Sequence, residues 1–263
     1  MKKRTKTRSS TSSDISDRFI DVKEIPVYVK ALIYGPSGTG KTTFMGSFPK
    51  PLLVIDCRDM GTKSIRTAPD TKVLSVTSWN DIEEAYWYLK NNPTKFKSVI
   101  WDTITQAQDL CMKKVKGQTL ESASGKTTRN AWGEVGEMMK SWILLFRDLD
   151  MHVGFTAQDR LKSNEEETED DMMVPQVGPF ASPSVVKILN AAVDVIGYSF
   201  IREIEVKKTN PKTKKIKTSI ETQYCLRVGP HSRYITKIRN EAGKEYPHIV
   251  VNAKYDDILK IIL

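Results

Sequence analysis

Between an apolar run, VKALIY, and a second one, FMGSF, lies GPSGTGKTT, residues Gly35 to Thr43. Gly35, Gly40, Lys41 and Thr42 satisfy G-x-x-x-x-G-K-[ST], with a strand-like segment before the loop and a helix-like one after it, which is the context this pattern requires. The residue types explain the chemistry. Glycines let backbone N–H groups curl around phosphate oxygens, and the first turn of the following helix adds the positive end of its dipole. Gly35, Pro36, Ser37, Gly38, Thr39, Gly40, Lys41, Thr42 and Thr43 therefore form a phosphate cradle. In it Lys41 reaches the β and γ phosphates and Thr42 offers its hydroxyl to Mg²⁺. The loop is expected to bind ATP with Mg²⁺.

Turnover needs carboxylates as well. KSVIWD places Asp102 at the end of an apolar strand, where an acid can approach the metal, usually through a water. An aspartate there also serves as a turn former or helix cap, and both roles stay open. Thr103 follows Asp102, so no glutamate stands beside it to activate water, and that group must come from elsewhere. Two strand-helix units, starting at PLLVID and KVLSV, lie between the loop and Asp102. This insertion suits the branch of these folds in which an extra strand separates the loop strand from the acid strand.

The elements that must position these groups alternate along the chain. VKALIY is followed by KTTFMGSF, PLLVID by a short helix near Lys63 to Ala68, KVLSV by WNDIEEAYWYLKN, and KSVIWD by TITQAQDLCMKKV. Strands alternating with helices predict an α/β fold, a mostly parallel twisted sheet flanked by helices. Asn130 to Asp150 carries Trp132, Val135, Met138, Met139, Trp142, Ile143, Leu145 and Phe146 at helical spacing, which reads as a core stripe. MHVGFTAQ is the next strand. Residues 159–184 show no periodicity and are expected to form a mobile loop. A short helix reaches Asn190. An antiparallel hairpin extension, residues 198–228, then turns at KKTNPKTKK. RYITKIRN adds a strand, and YDDILKIIL closes the chain as a helix.

Composition narrows the class. At 263 residues the chain suits one large domain, here 18–263, behind a disordered basic arm, residues 1–17, rich in Lys, Arg, Ser and Thr. Lys and Arg number 41 against 32 acidic residues, a net +9 that favours polyanion partners. Cys57, Cys111 and Cys225 lack metal or disulfide spacing, and no apolar run is long enough to span a membrane. A soluble, cytoplasmic protein in a reducing compartment is expected, with no membrane partner.

On these motifs the sequence resembles the RecA-like core P-loop ATPases, most closely the compact phage-encoded members described as single-strand annealing or recombination ATPases. In that group the water-activating carboxylate lies in a segment D-x-E-x-G after the second strand. The matching stretch here is DCRDMGT, with Arg58 where glutamate is expected, and Asp59 is the nearest substitute. The resemblance implies that Gln158, at the strand end within FTAQD, senses the γ-phosphate, although a buried or capping glutamine reads the same way. It implies that Lys237 and Arg239, in K-x-R-N, reach a neighbouring subunit's phosphates in a homo-oligomeric ring or filament, although alternating charges on an exposed strand give the same pattern.

The resemblance also implies single-stranded DNA on loops near 123–129 and 159–184, through Lys126, Arg129, Arg160 and Lys162, with Phe180 as a stacking group. Glu165, Glu166, Glu167, Glu169, Asp170 and Asp171 crowd the second loop and would repel phosphate. That acidic part is expected to point away from DNA, toward a basic partner, a single-strand-binding or other recombination protein, or the chain's own arm. The leading expectation is an ATPase of phage recombination that anneals or pairs strands. A ring helicase motor or helicase loader, and a nucleotide-gated interaction protein with little hydrolysis, remain the alternatives.

Overall fold

Alternation along the first strand sets the layout, because successive side chains of a strand point to opposite faces. Ala31 and Ile33 enter one buried cluster, Leu32 and Tyr34 the other, and the second strand divides Leu52 and Val54 from Leu53 and Ile55 in the same way. A sheet with two apolar faces must be covered on both.

The computed structural model describes residues 15–117, 129–161, 176–209 and 216–263. Its strands are β1 (Lys30–Tyr34), β2 (Leu52–Asp56), β3 (Thr71–Ser75), β4 (Ser98–Asp102), β5 (His152–Ala157), β6 (Asp159–Leu161), β7 (Val177–Pro179), β8 (Val195–Thr209), β9 (Ile216–Arg227), β10 (Lys237–Ile238) and β11 (Ile249–Val251). Its α-helices are α1 (Lys41–Met45), α2 (Trp79–Asn91), α3 (Ile104–Val115), α4 (Arg129–Arg147), α5 (Pro183–Ala192) and α6 (Tyr255–Ile262). The main sheet runs β11-β9-β8-β1-β5-β4-β2-β3, with β10 paired to β8. From β8 to β3 the neighbours are parallel, and β9, β10 and β11 add antiparallel strands. This is the mixed, mostly parallel α/β fold of a P-loop NTPase.

Helices α2, α3, α4 and α5 bury Trp79, Ile104, Val135 and Val185 on one face, while α1 and α6 bury Phe44, Met45, Tyr255 and Ile258 on the other. In α4 the apolar stripe is narrower than the sequence pattern: Val135, Met139, Ile143 and Phe146 are buried, whereas Trp132 and Leu145 are exposed. Among the described residues, no helix is long and apolar enough to cross a membrane.

Several expected boundaries move. The strand separating the loop strand β1 from the acid strand β4 is β5, which pairs with both. β2 and β3, although inserted between them in sequence, lie beyond β4. Sheet order follows crossover connections rather than chain order. The segment 159–184 is not a continuous loop: β6 pairs with β7, Asp159 opposite Pro179, and α5 starts at Pro183. Its acidic stretch 165–171 and Lys162 lie outside the described residues, as do Lys126 and positions 1–14 of the arm. Arg129 is not in a loop but opens α4, and Ile15–Arg18 form a 3₁₀ turn. The strand expected at RYITKIRN shrinks to Lys237–Ile238, and β11 had no clear pattern of its own.

Candidate nucleotide-binding site

The loop GPSGTGKTT joins the C-terminal end of β1 to α1. Gly38 and Gly40 have φ of +80° and +89°, a region that glycine enters without the cost met by other residues. Thr39, only 6% exposed, donates its hydroxyl to the Pro36 carbonyl, and Ser199 on β8 donates to the Thr39 carbonyl. The loop is thereby fixed to itself and to the sheet. Lys41, also buried, lies across the loop with Nζ 2.8 Å from both the Gly35 and Pro36 carbonyl oxygens. Burial pushes its ammonium below its ordinary range, and the charges of Asp59, Asp102 and Asp159 act against that shift.

Thr42 in α1 and Asp102 at the end of β4 are sixty residues apart in sequence, and β1, which leads into α1, lies two positions from β4 in the sheet. They meet because α1 sits low over β5. A Cβ at Gly154 would stand 2.5 Å from Ile100 Cδ1 and 2.6 Å from Met45 Sδ, so a glycine in β5 permits that approach. Thr42 Oγ1 then donates to Asp102 Oδ2 at 2.8 Å, and Thr156 of β5 donates to Asp102 Oδ1. Asp102 is 1% exposed. Burial raises its carboxyl above the usual carboxylate range, the two hydroxyl donors oppose this, and Asp59 and Asp56 add to it.

Asp56 ends β2, and its Oδ1 accepts from the amides of Asp59 and Met60. Arg58 and Met60, on either side of Asp59, have φ of +69° and +54°. Non-glycine residues rarely adopt this region, at a cost of about 1–2 kcal/mol each, and such strain gathers at functional sites. The turn brings Asp59 to the cavity wall and Gly61 against the Thr42–Asp102 pair. A Cβ on Gly61 would lie 2.8 Å from Thr42 Oγ1 and 3.4 Å from Asp102 Oδ2. The space a methyl would fill therefore borders a hydroxyl and a buried carboxylate, a fit for a hard cation.

Among the described residues no ammonium or guanidinium is ion-paired with Asp102, and no three His, Cys, Asp or Glu side chains are grouped to hold a metal. Mg²⁺ takes one or two protein oxygens and completes its shell with phosphate and water. Thr42 and Asp102 are the residues that would hold it.

A cavity of about 670 Å³ opens from the loop, lined by Ser37 to Phe44, Asp59, Gly61 and Ser64 on one side. Ser199, Tyr224 to Leu226 and Asn252 to Lys254 form its other walls. Sequence reasoning missed Thr156, Tyr224 and Asn252: each lies far along the chain in a segment whose pattern reports only burial or a turn.

The remaining expected site residues are distributed differently. Gln158 follows β5; its amide donates to Thr105 Oγ1 and its carbonyl accepts from the Phe180 amide, so it anchors the β6–β7 hairpin. Gly35 of the loop donates to the Ala157 carbonyl one residue earlier. Arg160 lies over the Phe180 ring, 6.0 Å from its centroid. Lys237 and Arg239 do not approach the loop. Lys237 Nζ donates to the carbonyls of Asn190 and Val193, at 2.6 and 2.7 Å, and Arg239 bonds Asp194 and the Ala191 carbonyl. β10 pairs with the start of β8, beside the start of β1, so both cations occupy the sheet end opposite the loop. The expectation that they serve a neighbour's phosphates meets side chains already committed to the end of α5 in their own chain.

The family model described as AAA domain matches residues 28–240. A comparison with curated proteins finds no match. Among solved structures the chain is similar to a prototypical ATPase from the type III secretion system of pathogenic bacteria, at 11% identity and a TM-score of 0.39, over 65% of this chain and 51% of that one. It is also similar to the cytoplasmic domain of EssC, at 15% identity and a TM-score of 0.31, over 64% of this chain and 30% of that one. The chain thus spans about half of the first and under a third of the second. The family match takes in the loop, both acid-bearing strands and the sheet up to β10, and on that extent this chain belongs to the AAA-domain family of P-loop ATPases.

Proposed function

We propose that this protein is a Mg²⁺-dependent ATPase that acts on single-stranded DNA and, following its sequence resemblance, serves phage recombination by annealing or pairing strands. The observation that carries the nucleotide reading is the Thr42 hydroxyl on the buried Asp102 carboxylate, 2.8 Å away, beside a glycine loop and its lysine. Lys41 would exchange its two carbonyl partners for phosphate oxygens, and loop amides with the start of α1 would hold the same anion. A divalent cation held by Thr42 and Asp102 would spread the charge that develops on the phosphoryl oxygens. Asp59, in the strained turn on the cavity wall, is the proposed water-orienting carboxylate.

The DNA reading is supported by Arg160 and Phe180, a cation lying over a ring at the root of the β6–β7 pair, which follows Gln158. Rings and guanidinium planes of this kind stack bases in a sequence-tolerant way. Gln158 is the proposed link, since it adjoins the residue bonded to Gly35. The sequence resemblance adds Lys126, Arg129 and Lys162 as DNA contacts, with Lys126 and Lys162 outside the described residues, and self-assembly in the host cytoplasm completes the proposal. Lys237 and Arg239 are given a structural role.

The test is phosphate release by the wild type and Lys41→Ala, with and without single-stranded DNA. The wild type should hydrolyse ATP only with Mg²⁺ and faster with DNA, and Lys41→Ala should lose roughly 100-fold or more in kcat/KM. Tight ATP binding without release would replace this reading with a nucleotide-gated interaction protein. Unwinding of a forked duplex in place of strand pairing would favour the helicase alternative.

A further inference from the structure

The cavity does not end where a triphosphate would. A triphosphate on the loop occupies the part near Gly38 to Thr42, and the remaining space runs to walls built by two segments close to the C-terminus, Tyr224 to Leu226 on β9 and Asn252 to Lys254 between β11 and α6. Pockets of about 300–1,000 Å³ suit a whole small ligand, and about 670 Å³ is more than a phosphate tail needs.

Tyr224 is 45% exposed although Cys225 and Leu226 beside it are buried. Its Cδ1 is 3.5 Å from where a Cβ on Gly40 would stand, so the ring lies next to the last glycine of the loop. The wall behind it is held by backbone pairing. The Asn252 amide donates to the Tyr224 carbonyl at 2.7 Å, and Val251 pairs with Cys225. Asn252 has φ of +50°, a left-handed turn that asparagine tolerates better than most residues, and it redirects the chain from β11 into α6. The Tyr255 amide then donates to Ser47 Oγ just past α1, which ties this wall to the loop's own helix.

We propose that this far half of the cavity is the nucleobase and ribose subsite, with the Tyr224 ring as the stacking platform and the Asn252 side-chain carboxamide as the partner of the base edge. The proposal rests on the reading that the loop holds a triphosphate. A base offers a flat π-face for the ring, and its edge carries donors and acceptors that one primary amide can match, since an amide does both. The apolar lining from Phe44, Leu226 and Ala253 suits the same ligand. An exposed tyrosine on a free surface would need none of these surroundings.

Calorimetric titration of ATP and of inorganic tripolyphosphate, each with Mg²⁺, separates the two readings. Wild type should bind both, ATP more tightly. Tyr224→Ala should weaken ATP roughly tenfold, the range expected for losing one stacked base, and leave tripolyphosphate within about twofold. Tyr224→Phe should retain ATP affinity, and Lys41→Ala should lose both ligands. Tyr224→Trp provides a direct signal, with indole emission changing on ATP addition and staying constant with tripolyphosphate. Unchanged ATP affinity in Tyr224→Ala, or equal losses for both ligands in a folded protein, would overturn the subsite. Wild type that binds neither ligand would instead remove the phosphate-loop reading, and the subsite with it.

Discussion

Asp102 is a buried acid held by two hydroxyls, with no cation paired to it among the described residues. Such a group is costly in isolation, and burial raises its affinity for a proton against the pull of the two hydroxyls. A metal ion would act in the same sense as the proton while keeping the carboxylate charged. Gly61 makes this testable without touching either ligand. In Gly61→Ala the new methyl falls 2.8 Å from Thr42 Oγ1, so the Mg²⁺ concentration for half-maximal ATP binding should rise by about threefold to tenfold, the effect of roughly 1 kcal/mol of crowding. Binding measured without metal should hardly change. An unaltered Mg²⁺ titration would move the cation away from this pair.

At the scale of elements, three pieces converge on one imidazole. His152 starts β5, its Nδ1 accepts from the Val29 amide at 3.0 Å, and the Tyr255 hydroxyl of α6 lies at 3.0 Å from the same atom. Burial, and then the nearby Lys30 ammonium, push this imidazole down to about 4. The unfolded chain therefore takes the proton first, near pH 6.5. The stability contributed by neutral His152 is complete above that pH and is lost as pH falls toward 4. Allowing for its partial exposure, the loss is on the order of 1–2 kcal/mol. Denaturant unfolding at pH 7.5 and pH 5 should show it. His152→Gln, which keeps an acceptor but has no proton to gain, should flatten this part of the profile. A wild-type profile flat between these pH values would show that α6 does not depend on this contact.

The molecule as a whole separates its two sheet ends. Gly35, Asp56, Asp102 and Gln158 all lie at the C-terminal ends of parallel strands, where open α/β sheets place their ligands. Lys237 and Arg239 are at the other end, closing the last carbonyls of α5. Lys237→Ala should accordingly cost about 1–3 kcal/mol, through two unmet carbonyls, and lower Tm by several degrees. The ATPase rate per folded molecule should stay the same. Lost turnover with unchanged Tm would instead support the role on a neighbouring subunit that the sequence resemblance implies.

The features legible along the chain are local. The loop motif, the alternation of strands and helices, the long hairpin and the closing helix are legible because glycine placement and apolar period act over a few residues. DCRDMGT was recognisable as a departure from its pattern for the same reason. Long-range packing set the rest: β5 lies between β1 and β4, Gly154 lets α1 settle until Thr42 meets Asp102, and Gly61 borders the pair. It also decided that Tyr224 and Asn252, about two hundred residues after the loop, wall its cavity, and that Lys237 and Arg239 do not. These are outcomes of crossover order and close packing between distant segments. A pattern read along one chain registers that a residue is buried or exposed, but not which partner stands across from it.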